Sequence, residues 1–257
     1  MALVLAQIAY PLTSGDARDA VTTVVVLLSA ATALVHAGTT RGLGYAAGFL
    51  VIVSGIGLVA EVVGTATGFP FGCYDYADGR LGPDIAGVPL VVALAWTGGL
   101  YPVWVVAGLL ARGAIGRIGL TAVGAVGWDL YLDPQMVADG QWSWCDTDSG
   151  VPGLVQIPVT NYLGWFAVAV LMALALTVWE RAAREVRPSG SNTAVPVAIF
   201  LWTWLGSALA HAVFLDLPAS ACYGVVGLGL LGLPLVARLR RSRGEHNENG
   251  SARRVAI

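Results

Sequence analysis

The stretch Leu43–Gly64 reads LGYAAGFLVIVSGIGLVAEVVG, an apolar run whose single carboxylate is Glu61. At about 1.5 Å of rise per residue, a helix of this length crosses the ~30 Å hydrocarbon core of a bilayer. Runs of the same kind recur at 20–37, 86–111, 114–131, 161–180, 194–215 and 220–237, with a shorter one at 1–12. The 257 residues are 56% hydrophobic and 12% charged, with a mean hydropathy of +0.72. A soluble domain carries about twice that charged fraction. The expected fold is therefore all-α, a polytopic transmembrane helical bundle of seven to eight spans. Residues 1–237 form one domain, and 238–257, charged and rich in small polar residues, read as a disordered tail.

The segment MALVLAQIAYPL lacks a basic leader and a clear small-residue cleavage site, so a cleavable signal peptide is not expected. It is also short for a span and reads as half-embedded. The net charge of −2 identifies no partner, and all 14 basic residues are arginine. The expected partner at this level is the lipid bilayer, with no nucleic acid. Oligomeric state is open, because the glycines of 220–237 suit packing between chains as well as within one bundle.

Arginine placement orients the chain. Arg41, Arg112, Arg117, Arg181, Arg184, Arg187 and the six arginines from Arg238 onward lie on one side, against only Arg18 and Arg80 on the other. Twelve against two places the C-terminal side in the cytoplasm, and the expected location is a bacterial or archaeal plasma membrane. The outer side is acidic, and its long loops, 65–85 and 132–160, are rich in Tyr, Trp, Gly and Pro. Loops of that composition carry function or cap a cavity. Cys73, Cys145 and Cys222 all fall on this side, where oxidation is possible. A Cys73–Cys145 bridge would pin the two long loops together; the alternative is three unrelated small residues. Without His at ligand spacing the cysteines do not make a zinc site, and no metal centre is expected.

Ionisable groups inside a span cost roughly 2.5–3.5 kcal/mol, so each is a functional candidate. Glu61, Asp129 and His211 stand out, because each lies near the outer end of its own helix and the three share one depth. Each also has a plainer reading: Glu61 reaching headgroup water, His211 packed between helices, Asp129 structural. Asp133 follows Asp129 by four residues and shares its helix face if the helix continues. Equally, Asp133-Pro134 reads as an N-cap with proline at N1, opening a short helix over Gln135–Asp139. Asn161 has the same ambiguity at the start of 161–180. His36 lies near an inner helix end, where an interfacial histidine is unremarkable.

Three stretches bear on function together: GFPFGCYDYADGRLGPDIAGVPLVVALAW (68–96), WDLYLDPQMVADGQWSW (128–144) and QIPVTNYLGWF (156–166). In this order they resemble the carotenoid biosynthesis membrane-protein family that includes γ-carotene and bisanhydrobacterioruberin hydratases. The shared elements are a G-F-P-F-G-x-Y-x-Y loop, a W-D-x-x-x-D-P-x-M helix end and a P-x-x-N-x-x-G-W helix start. The likeness covers about residues 55–180; elsewhere it is hydrophobic pattern alone. Cys73 stands at a variable position of the loop.

The resemblance implies hydration of the terminal alkene of an acyclic carotenoid end group, a reaction that needs no redox cofactor. An acid protonates the less substituted carbon, and water captures the resulting tertiary carbocation. Burial can keep a carboxylic acid protonated near neutral pH. Asp129 is the first choice for that acid. Glu61 or Asp133 would orient the water and accept its proton, with His211 or Asn161 as hydrogen-bond partner. Aromatic faces of Tyr74, Tyr76, Trp128 and Tyr131 would stabilise the cation. Asp75, Trp96 and Trp165 are further substrate-contact candidates in the matching stretches.

Two rivals remain. A magnesium-dependent prenyl-processing enzyme would use Asp129-x-x-x-Asp133 as a diphosphate motif, but no second Asp-rich motif and little outer-side arginine support it. A carotenoid or terpene cyclase would use the same acid without metal. A non-enzymatic carotenoid-binding or transport protein is the other rival, although the paired halves common in transporters are not visible. No P-loop, nucleophile elbow or dinucleotide fingerprint is present.

Overall fold

A computed structural model describes the backbone of residues 1–182 and 192–255 and the side chains of 1–182 and 192–242. The loop holding Arg184 and Arg187, and the side chains of Arg243, Arg253 and Arg254, lie outside the described residues. Eight helices follow one another: α1 (Ala2–Ala9), α2 (Gly15–Arg41), α3 (Leu43–Thr67), α4 (Leu90–Leu110), α5 (Ala114–Ala138), α6 (Val159–Ala182), α7 (Ala194–Val213) and α8 (Pro218–Val255). Six of them, α2, α3, α4, α6, α7 and α8 up to Ser242, are long and apolar enough to cross a membrane. α5 has comparable length but carries Arg117, Asp129 and Asp133, and it is enclosed by α4, α6 and α8. Side chains such as Val51, Val59, Val178 and Leu233 are 64–70% exposed around the bundle, as a lipid-facing surface requires.

The first segment, α1 with the 3-10 turn Tyr10–Leu12, is too short to cross. It packs along α2, and Leu3 shares a small space with Ser29, Thr32 and His36 of that helix. α8 continues as backbone helix through the stretch read as a tail, to Val255.

α4 and α5 form the centre. Close approach there depends on small residues: a methyl group on Gly127 would lie 2.7 Å from the Gly227 backbone, where α5 crosses α8. The glycines of α8 therefore pack within one chain. Gly224 faces the Tyr131 ring and Gly232 faces Trp204.

α5 does not break at Pro134. Proline lacks the N–H that would bond the Leu130 carbonyl four residues back. Ser220 of α8 fills that vacancy, donating its hydroxyl to Leu130 O at 2.6 Å. The helix runs on to Ala138, so the N-cap reading of Asp133 and the separate short helix are corrected.

Each end of the bundle is locked by an ion cluster. At the inner end, Glu180 accepts from Arg41 (2.7 Å), Arg117 (2.9 Å) and Tyr45 (2.8 Å). The two guanidinium groups also lie over the rings of Tyr45 and Trp104. At the outer end, Arg80 grips both oxygens of Asp19 (2.9 and 2.7 Å) and donates to Asp139 O, while Arg18 pairs with Asp139 at 3.1 Å. Both outer-side arginines are thus spent on holding α2, the first long loop and the end of α5 together.

Candidate active site

The two long outer loops meet over the bundle. Strand β1 (Tyr74–Tyr76) pairs antiparallel with β4 (Trp142–Trp144), Tyr74 opposite Trp144 and Tyr76 opposite Trp142. Beside this ladder, Cys73 and Cys145 are joined by a disulfide with Cα atoms 5.4 Å apart. Two smaller hairpins, β2 (Asp84–Ile85) with β3 (Val88–Pro89) and β5 (Gly150–Val151) with β6 (Leu154–Pro158), complete the roof. Because side chains alternate along a strand, Tyr74 and Tyr76 turn inward and Asp75 outward. Asp75, read as a substrate contact, is exposed and does not face the interior.

Below the roof lies Glu61 of α3, 5% exposed. Its Oε2 accepts from the hydroxyls of Tyr74 (2.5 Å) and Tyr76 (2.9 Å), and its Oε1 accepts from Trp96 Nε1 (3.0 Å). Burial, followed by the nearby carboxylate of Glu61, raises the pKa of both tyrosines well above the ordinary phenol range. Both therefore remain hydrogen-bond donors to Glu61 throughout the neutral range. Trp96 also stacks on Trp165, ring centroids 4.0 Å apart, and Trp128 meets Trp165 edge-on at 5.4 Å.

Asp129 and Asp133 of α5 point toward α6, where Asn161 Nδ2 donates to Asp129 Oδ2 at 3.0 Å and also to Asp133 Oδ2. Continuous helix through Pro134 places the two carboxylates one turn apart on one face. Asn161 lies in the first turn of α6, yet its amide serves these carboxylates.

One cavity of about 210 Å³ joins these groups. Glu61, Asp133 and Asn161 line it, together with Tyr74, Tyr76, Trp96, Trp128, Tyr131 and Trp165. Asp129 does not line it; fully buried, it stands behind Asn161 and Asp133. Its Oδ1 has no partner among the described residues, nor does the hydroxyl of Tyr162.

His211 shares the depth but not the site. Its Nδ1 lies 2.8 Å from Ser220 Oγ and its Nε2 3.2 Å from Gln135 Oε1, on the α8 side of α5. Since the Ser220 hydroxyl is donated to Leu130, its oxygen accepts from the imidazole. Tyr131 contacts the cavity with its ring while its hydroxyl donates to Trp204 O at 3.0 Å.

Several residues of the site have no counterpart among the sequence candidates. Trp142, Trp144 and Phe71 line the roof, and outside the cavity lining Gln141 donates to Asp19 at 2.6 Å in the Arg80 cluster. The W-x-W pattern of 142–144 was the available signal, since period-2 tryptophans beside an inward-facing Y-x-Y fit a paired strand. Among the described residues, no three His, Cys, Asp or Glu side chains converge as metal ligands.

Residues 21–231 match a protein family described as "Carotenoid biosynthesis protein". No curated protein and no solved structure matches the chain.

Proposed function

The chain belongs to the carotenoid biosynthesis protein family, and on that premise we propose that it hydrates the terminal carbon–carbon double bond of an acyclic carotenoid end group. What supports this reading is the placing of Asp133 and Glu61 on the wall of one cavity otherwise lined largely by Trp, Tyr and aliphatic side chains. The plasma membrane of a prokaryote is the proposed location, with the site near its outer face.

In the proposed reaction Asp133 is the acid, because it touches the cavity and Asp129 does not. The Asp133 proton passes to the less substituted carbon of the alkene. A C–H bond forms, the π bond breaks, and a tertiary carbocation remains. The faces of Trp96, Trp128 and Trp165 offer their quadrupoles to that cation. A water held at Glu61 attacks the cation and loses a proton to Glu61; exchange with solvent returns a proton to Asp133. The net change is one alkene plus one water to one tertiary alcohol. Asn161 fixes Asp133 against Asp129, and the two carboxylates between them hold the proton to be delivered. Tyr74, Tyr76 and Trp96 hold Glu61 in place.

The test is pigment analysis in a host producing lycopene and γ-carotene, with wild type and Asp133→Asn. A product heavier by one water, made by wild type and lost in the variant, is expected. An isomer of unchanged mass would replace hydration with cyclisation by the same acid. No new pigment from wild type would overturn the reading.

A further inference from the structure

Resting on that reading of the site, we infer that the groove between α2 and α7 is a lateral channel through which the polyene shaft of the substrate enters from the lipid. In this arrangement the protein reads one end of the substrate only.

α2 and α7 are tied together at their inner ends. His36 of α2 contacts the carbonyl of Asn192, just before α7, through Nε2 at 2.8 Å, and Tyr101 Oη of α4 through Nδ1 at 2.8 Å. Farther out the two helices face each other across the cavity. Val25 and Val26 form one wall, Thr203 and Ser207 the other, and Gly98 and Gly99 of α4 lie between them. These wall side chains are half-buried, as expected for a face that looks onto a groove.

The groove is continuous with the space beside Glu61 and Asp133. Along α4 its lining runs from Val91 to Val103, about 18 Å of helix and little more than half of a bilayer's hydrocarbon. At about 210 Å³ the cavity takes an end group and a few isoprene units, whereas a whole carotenoid is several times larger. The remainder of the molecule must leave the protein, and the side open to lipid lies between α7 and the α1–α2 pair.

A rigid, flat polyene suits this space better than a flexible acyl chain. Gly98 and Gly99 let Ser29 and the Trp128 ring close on α4, and the flat rings of Trp96, Trp128 and Phe200 border the space that remains. The distal end of the substrate then lies in the bilayer, where no side chain can discriminate a ring from an open chain.

The test uses the purified full chain in phospholipid nanodiscs with lycopene as probe, reading bound pigment by visible absorption and induced circular dichroism. Thr203→Trp and Val25→Trp fill the groove from opposite walls. Leu209→Trp, on the lipid-facing side of α7, is the folding control. The two groove variants should bind lycopene at least about tenfold more weakly, with Leu209→Trp binding as wild type does. γ-Carotene, which offers one acyclic end where lycopene offers two, should bind wild type within about twofold of lycopene. Groove variants that bind normally, a wild type that holds no more lycopene than empty nanodiscs, or tenfold discrimination between the two pigments would each overturn the inference. Normal lycopene binding without any hydrated product would leave the channel standing and remove the hydration reading.

Discussion

Asn161 Nδ2 lies 3.0 Å from Asp129 Oδ2, and the same amide also reaches Asp133. One side chain on α6 thus holds two carboxylates of α5 in register, one at the cavity wall and one behind it. Replacing Asn161 with leucine keeps approximate volume but removes the donor from both. A buried acceptor left without its partner costs roughly 1–3 kcal/mol, so Asn161→Leu should unfold at lower temperature. Asn161→Asp should lose hydrated pigment by roughly a hundredfold, because a third carboxyl cannot supply the same two donors. Thermal unfolding in detergent and pigment yield in cells check the two parts separately.

Asp133 and Asp129 should not respond alike. Asp133→Asn removes the proton donor at the wall and should abolish product. Asp129→Asn removes only the group behind it and should leave product at a level reduced by about 100-fold, the low end of a general acid–base contribution. Equal and complete loss in both variants would mean that the pair acts as one unit. A more damaging Asp129→Asn would return the acid to the position favoured by the sequence.

The α5–α8 crossing sets a sharp steric test. A methyl on Gly127 meets backbone atoms of Gly227 and Leu228 at 2.7 Å, and backbone cannot turn aside as a side chain can. Gly127→Ala gains up to about 1 kcal/mol in helix propensity but forces the helices apart at a cost of roughly 1–3 kcal/mol or more. The expected result is net destabilisation. Gly55→Ala, with nothing within 4 Å of the added carbon, should be neutral or stabilising. Melting of both variants in the same detergent decides the sign.

The roof depends on the Cys73–Cys145 bridge, which spans a sequence separation of 72 residues and flanks the β1–β4 ladder. Loop-closure entropy for such a separation is worth about 4 kcal/mol in a free chain. Here the helices between the cysteines are already ordered by the membrane, so about 2 kcal/mol is the expected loss for Cys73→Ala. Tyr74 adjoins Cys73 and donates to Glu61, so product yield should fall together with stability. A reducing agent should reproduce both effects in wild type and neither in the variant.

Hydropathy made the apolar helices and the depth of Glu61 and Asp129 along them legible, because each of these depends only on position along a helix. Azimuth was not legible. Asp129 and Asp133 share a face only if α5 passes through Pro134, and that depends on Ser220, ninety residues away, bonding the released carbonyl of Leu130. His211 has the right depth and the wrong side of α5 for the same reason. The Asp19–Arg80–Gln141 cluster joins three distant segments without any motif. Its one hint was the scarcity of outer-side arginine, since Arg18 and Arg80 stood almost alone on an acidic face.

The roof tyrosines predict how the fold responds to alkali. Burial, reinforced by the charge of Glu61, raises the pKa of Tyr74 and Tyr76 above the ordinary phenol value of about 10. Below that value both states keep the phenol protons, and the stability contribution is fully present. Above it the unfolded chain binds fewer protons than the folded one, so stability falls as pH rises toward the folded pKa values. The protein should therefore show no ionisation of these two tyrosines between pH ~6 and ~9, and its unfolding temperature should decline from about pH 10 upward. Tyr76→Phe, which keeps the ring and removes one titrating group, should flatten that decline while weakening the hold on Glu61. Ultraviolet difference titration alongside thermal melts measures both. Early, reversible ionisation of all tyrosines with no loss of melting temperature would show that the roof is open to solvent, and Tyr74 and Tyr76 would then not seal Glu61.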